Sequence, residues 1–313
     1  MGDTSHHGVG HASNPAGRVL NRLRHAATAS LVIVAMLLLS AGGHPARGRE
    51  PALRAVKSAT CQHSAFRTVV DVGHTAEVPG AISARGVPEY KFNLRLADEV
   101  KQALVDAGFA KTVRLVTTTA PARGLVERAA LVNRMHADLF ISIHHDSVPD
   151  YLLETWEYEG QQNQFSDRFQ GYAIFISNDN ADRAGSLQFG RLLGKALQAR
   201  GLQYTPHYVL PLMGNRRRDL IDAGAGVYRY DQLIVLRNTR MPAVLLEAGS
   251  IVNRQEELEL ASPERRSLTG AAIVAAVEEF CTVRSRHKSQ PRLKRPPKAA
   301  VRSVRANRAS FAR

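Results

Sequence analysis

Between residues 67 and 281, short β-branched runs alternate with longer stretches of helical period, and this alternation constrains the fold of the 313-residue chain more than any other feature. RTVVDVG (67–73), TVRLVTTT (112–119), DLFISIHHDS (138–147), GYAIFISN (171–178), QLIVLRN (232–238) and PAVLLEAGS (242–250) read as strands. From Glu89 to Ala107, Phe92, Leu96, Val100, Ala103 and Leu104 recur at helical spacing, and Gly108 closes the segment. GLVERAALVNRMHA (124–137) and AGSLQFGRLLGKALQARG (184–201) read as two further helices. Ser262, Pro263 and Glu264 supply a cap, a fixed φ and a first-turn acid for a last helix, which turns Ile273, Val277 and Phe280 to the core. Strands alternating with helices imply an α/β fold of parallel βαβ units, with helices on both faces of the sheet. Residues 148–170 and 202–231 interrupt the rhythm and read as irregular.

The net charge of +14 suggests a nucleic-acid partner until it is placed along the chain. Residues 284–313 carry eleven Lys and Arg and no acid, residues 1–54 carry a net +4, and residues 55–283 are left one unit negative. The basicity therefore belongs to the ends. Residues 284–313 lack apolar periodicity and read as a disordered basic tail, either an inert solvated end or a tether to anionic envelope polymers or lipid head groups. A nucleic-acid arm is disfavoured, because Phe311 is the tail's single aromatic residue and stacking platforms are missing.

Arginines 18, 22 and 24 precede AATASLVIVAMLLLSA (26–41), which has no charge. This reads as a signal peptide or N-terminal membrane anchor over residues 1–45, with a linker at 46–64, so the protein is expected to be exported to the periplasm or cell envelope. In an oxidising compartment Cys61 and Cys281 pair across the two ends of the domain, or else remain two buried thiols.

Polar groups stand at or just past the C-terminal ends of three strands: Asp71 and His74, then His144, His145 and Asp146, then Glu247. In open α/β sheets that edge is where ligands bind. Two imidazoles and a carboxylate around one point make a zinc site of the catalytic type, with a further glutamate free to move protons. Spacing alone leaves open which carboxylate completes the site. It also leaves open strand-end histidines that merely cap or face solvent, and a glutamate that only accepts hydrogen bonds. No G-x-S-x-G elbow, P-loop or dinucleotide fingerprint occurs in the sequence.

VVDVGH, PEYKFNL, GLVERAALVNRMHADLFISIHHDS and VLRNTRMPAVLLEAGSIVN, in that order over residues 66–281, resemble the family 3 zinc-dependent N-acetylmuramoyl-L-alanine amidases. The resemblance implies a single catalytic domain over 65–283 with a mostly parallel, about six-stranded sheet. It also implies one zinc ion on His74, Glu89 and His144, and Glu247 as the catalytic residue. Asp71, His145, Asp146 and Asn253 are then candidates for orienting those groups or touching substrate. The implied substrate is peptidoglycan, cleaved between the lactyl group of N-acetylmuramic acid and L-alanine during cell-wall remodelling or daughter-cell separation. The rivals are another zinc hydrolase on the same fold and a non-catalytic peptidoglycan-binding module. The chain departs from the family at DVGHTA, at His145 and at Ser250. The insertion at 148–170, with Glu154, Glu157 and Glu159, reads as a solvated loop; the alternative is a cover over the metal that a protein activator displaces.

Overall fold

The structure is a computed structural model that describes residues 60–118 and 121–289. The leader at 1–45 and most of the linker and basic tail lie outside the described residues. In chain order the elements are β1 (Thr68–Val72), α1 (Glu89–Asp106), β2 (Val113–Leu115), α2 (Pro121–Arg134), β3 (Leu139–Asp146), β4 (Glu154–Tyr158), β5 (Gln161–Phe165) and β6 (Ala173–Ile176). They continue as α3 (Arg183–Gln198), β7 (Asp219–Asp222), β8 (Val227–Arg229), α4 (Ile234–Asn238), β9 (Ala243–Ser250), α5 (Arg254–Ala261) and α6 (Pro263–Ser289).

Seven strands form one sheet in the order β2-β1-β3-β9-β6-β8-β7. Neighbours from β2 to β9 run parallel, β6 is antiparallel to β9, and β7 is antiparallel to β8. Alternation along the central strands divides the core between the two faces. Val70, Val72, Leu139, Ile141, Ile143, Val244 and Leu246 pack under α1, α3 and α6, while Val69, Phe140, Ala243 and Leu245 pack under α2 and α4. Each large apolar side chain sealed in these layers contributes about 1.5–3 kcal/mol.

The expected six strands differ from the observed seven at three places. QLIVLRN, read as a strand, forms the short helix α4, whose Val235 and Leu236 are buried against the α2 side of the sheet. A short apolar run has no period long enough to separate helix from strand. The span 202–231, read as irregular, supplies β7 and β8, and 148–170 folds into an antiparallel β4–β5 hairpin. That hairpin is fastened to the loop before α1: Trp156 Nε1 donates to Ala84 O at 2.8 Å, and the Arg85 guanidinium lies over both Trp156 and Tyr158. Its acids Glu154, Glu157 and Glu159 are exposed.

Helix α6 passes the expected domain end at 283 and continues to Ser289. Arg284 holds that extension by donating to Asp182, the N-cap of α3, at 2.8 Å.

A disulfide joins Cys61 to Cys281 over a separation of 220 residues. It ties the segment before β1 to α6, where Cys281 is buried beside Phe280 and Phe66. Closing so long a loop restricts the unfolded chain, so Cys61→Ala is expected to lower stability by roughly 2–5 kcal/mol. Urea unfolding without reductant measures this; an unchanged midpoint would show that the bridge restrains nothing.

Candidate active site

Strands β1, β3 and β9 lie side by side, and their C-terminal ends carry His74, His144 and Glu247 to one edge of the sheet. Glu89 arrives as the first residue of α1. Its Oε2 lies 3.0 Å from His74 Nε2 and its Oε1 lies 3.0 Å from His144 Nδ1. One donor atom from each of the three residues falls within 4.8 Å of the others, a group that can bind a metal ion. Burial opposes charge on Glu89, yet hydrogen bonds and charge from His144 and His74 hold its carboxyl well below the usual carboxylate range. Nitrogen and oxygen donors in this ratio suit zinc and similar divalent ions.

The backbone is shaped around these side chains. A Cβ on Gly80, at φ 80°, would stand 2.4 Å from Glu89 Oε2 and 2.6 Å from His74 Cδ2. At Gly73 it would stand 2.4 Å from His144 Nε2. Only glycine lets the chain approach so closely. His74 itself sits at φ 65°, a conformation that costs a non-glycine residue about 1–3 kcal/mol. Arg128 helps to hold it there, donating to His74 O at 3.0 Å, to Val72 O at 3.2 Å and to Thr117 Oγ1.

Asp71 is the buried counter-charge of Arg128, at 3.2 Å, and accepts a 2.7 Å hydrogen bond from Ser142. Burial outweighs both and raises its pKa. It lies beneath the group as support. His145 points to the opposite face from His144 and meets Asn93 Oδ1 at 2.7 Å. Asn93 in turn donates to Glu89 Oε1 at 3.0 Å and to Gly73 O at 3.2 Å, so this chain of hydrogen bonds fixes the Glu89 carboxylate. Burial pushes the His145 pKa down to about 3, which keeps the ring neutral. Asn93 is absent from the sequence reading, although its i+4 spacing from Glu89 places it on the same helix face. Arg128 is absent too; a charge on the buried Gly124–Arg128–Val132 stripe of α2 was its signal.

Glu247 is the in-register neighbour of His144. Its residue is part-exposed, but Oε2 is shut off from solvent without a hydrogen-bond partner. Burial, then the carboxylates of Asp146 and Glu89, push its pKa well above the usual range against the pull of Arg216. Asp146 Oδ1 accepts from Tyr208 at 2.6 Å and from Ser147 N at 2.8 Å, and Oδ2 lies 3.3 Å from His207 Nε2. Asn253 stands apart from the group, because its Oδ1 caps α5 through Gln255 N and Glu256 N and its Nδ2 donates to Asp167 O. Beside the His74–Glu89–His144 group, Val78, Leu125, Leu233, Val235 and Leu245 wall an apolar cleft of about 280 Å³ that His74 and His144 also line.

A glutamate of raised pKa beside a group that could hold a Lewis acid, on the C-terminal sheet edge, is an arrangement able to hydrolyse an amide. Comparison with known proteins points the same way. The chain is 28% identical to the N-acetylmuramoyl-L-alanine amidase AmiC of Neisseria meningitidis over 233 residues, covering 68% of this chain and 52% of that protein's length. It is 27% identical to an endolysin of Bacillus phage SPP1 over 188 residues, covering 60% of this chain and 55% of the endolysin. The fold is similar to the crystal structure of the N-acetylmuramyl-L-alanine amidase Ami1 from Mycobacterium smegmatis, with a TM-score of 0.53 at 21% identity, over 69% of this chain and 96% of that one. The family model for N-acetylmuramoyl-L-alanine amidases (Amidase_3) matches residues 68–279, more than half of the chain, and the chain belongs to that family.

Proposed function

We propose that the chain is a zinc-dependent N-acetylmuramoyl-L-alanine amidase, hydrolysing the amide between the lactyl group of N-acetylmuramic acid and the L-alanine of the stem peptide. The observation that carries this reading is Glu247 standing in register with His144, beside the His74–Glu89–His144 group. His74, Glu89 and His144 would hold the zinc. When bound, the metal would polarise the scissile carbonyl and make water easier to deprotonate.

The remaining work falls to side chains of the chain itself. Glu247 accepts the proton that the attacking water gives up and returns it to the alanine nitrogen as the C–N bond breaks. A lactyl carboxylate and a free amino terminus result. A carboxyl with a raised pKa retains the proton long enough to deliver it. Asn93, backed by neutral His145, fixes Glu89, and Arg128 fixes the His74 turn. The glycine contacts at positions 73 and 80 keep the ligand side chains from relaxing.

The Cys61–Cys281 disulfide supports an oxidising, exported location, where the substrate also resides. The role that follows is cell-wall remodelling or the separation of daughter cells. Digestion of purified peptidoglycan by the full chain tests the activity. Stem peptides with free alanine amino termini, released from intact glycan strands and suppressed by a chelator, are expected. New reducing sugar ends, or cleavage within the stem peptide, would point to a different hydrolase.

A further inference from the structure

The row of side chains around the Glu247–His144 pair has two unlike ends. Along β3 and β9, side chains two residues apart share a face, so Leu245 and Asp146 lie on opposite sides of the Glu247–His144 pair. The Leu245 end leads into the apolar cleft. At the other end stands Arg216, on the 3-10 turn Pro211–Arg216. The turn is firmly seated: Met213 is buried, Tyr151 OH donates to Leu212 O at 2.7 Å, Arg218 N donates to Tyr208 O at 2.7 Å, and the Arg218 guanidinium lies 3.6 Å from the Tyr230 ring centre.

Arg216 is not consumed by this framework. Its Nη2 comes no nearer than 3.9 Å to Asp146 Oδ1, beyond hydrogen-bond range, and that oxygen is already served by Tyr208 and Ser147. The side chain is 43% exposed, and its neighbour Arg217 is exposed as well. A guanidinium on a rigid turn with its donor fork unused fits a planar carboxylate.

Building on the amidase reading, we infer that Arg216 is a specificity-determining residue that binds a carboxylate of the stem peptide and so sets the direction in which substrate lies across the site. Two facts of the chemistry support this direction. Once the lactyl acid is an amide, the anionic groups of the substrate sit on the peptide side. Glu247 must also deliver its proton to the peptide nitrogen, so the peptide leaves on the Glu247 and Arg216 side. The lactyl methyl and the sugar then lie towards the apolar end.

Two soluble substrates test the inference: N-acetylmuramyl-L-alanyl-D-glutamate with free carboxylates, and its diamide. Wild type, Arg216→Gln and Arg216→Lys are assayed as zinc-loaded full chains, with thermal midpoint and bound zinc recorded. Losing a charge-assisted bidentate contact is expected to raise KM for the acidic substrate about 10- to 100-fold in Arg216→Gln. Losing the pull of Arg216 on Glu247 is expected to change kcat alike on both substrates, whereas KM for the diamide should stay at the wild-type value and Arg216→Lys should recover part of the KM loss on the acid. An equal rise in KM on both substrates would mean that Arg216 acts only through Asp146 and Glu247, and no rise on either would mean that it does not touch substrate; both overturn the inference. If wild type cleaves neither compound, the amidase reading itself fails and the inference falls with it.

Discussion

Glu247→Gln is expected to lower hydrolysis of a soluble muropeptide by about 10²–10⁴-fold while zinc content stays at the wild-type level. The amide keeps the size of the side chain but cannot carry the proton from water to the departing nitrogen. The variant is also expected to unfold at a higher temperature than wild type in metal-free buffer. Glu247 sits among the carboxylates of Asp146 and Glu89, with one oxygen sealed away and unpartnered, so its charge is a liability to the fold. The sign of the pH dependence follows. A carboxyl whose folded pKa is raised contributes stability that is full below its unfolded pKa and is lost as pH climbs through the folded value. Wild type should lose that contribution above the ordinary carboxylate range, and Glu247→Gln should not. Turnover, zinc content and thermal midpoint measured together check this; a Gln variant with wild-type turnover would remove Glu247 from the chemistry.

The second large effect is on metal binding. Glu89→Gln removes the anionic donor between two imidazoles and leaves a side chain of the same shape at the start of α1. Zinc affinity is expected to fall by more than the roughly 10–100-fold typical when an outer partner of a ligand is lost, and hydrolysis should fall with it. His145 and Asn93 would remain in place, so folding should survive. Competition with a chromophoric chelator reads the affinity directly. A Gln variant that still holds zinc as tightly as wild type would show that Glu89 only pairs with the histidines.

Much of this site was legible because strand ends and helix starts announce themselves. Asp71, His74, His144 and Glu247 lie in or just past β-branched apolar runs that read as buried strands and form them, and Glu89 follows a proline that opens a helix. What spacing could not decide was which carboxylate gathers with the two histidines, since Asp146 and Glu89 both stand near the same edge and only tertiary geometry places Glu89 between them. Asn253, just past β9 in sequence, uses its side chain as the cap of α5, a role that its position alone did not announce. QLIVLRN was ambiguous because five helical residues span little more than one turn. The hairpin at 154–165 was hidden by its polar composition, since its stability comes from Trp156 and Phe165 packed under Arg85 and Arg254 and not from an alternating apolar face. Arg128 and Arg216 look alike in sequence, yet one is buried beneath His74 and the other is part-exposed, 3.9 Å from Asp146.

The claim on which everything else rests is that His74, Glu89 and His144 share one zinc ion beside Glu247. Crystals of the zinc-loaded protein, with diffraction recorded on both sides of the zinc absorption edge, test it most directly. One strong anomalous peak is expected about 2.0–2.2 Å from a nitrogen of each histidine and an oxygen of Glu89, with Glu247 near it but not bound. A peak held by other residues, or none at this group in protein that carries zinc, would contradict it.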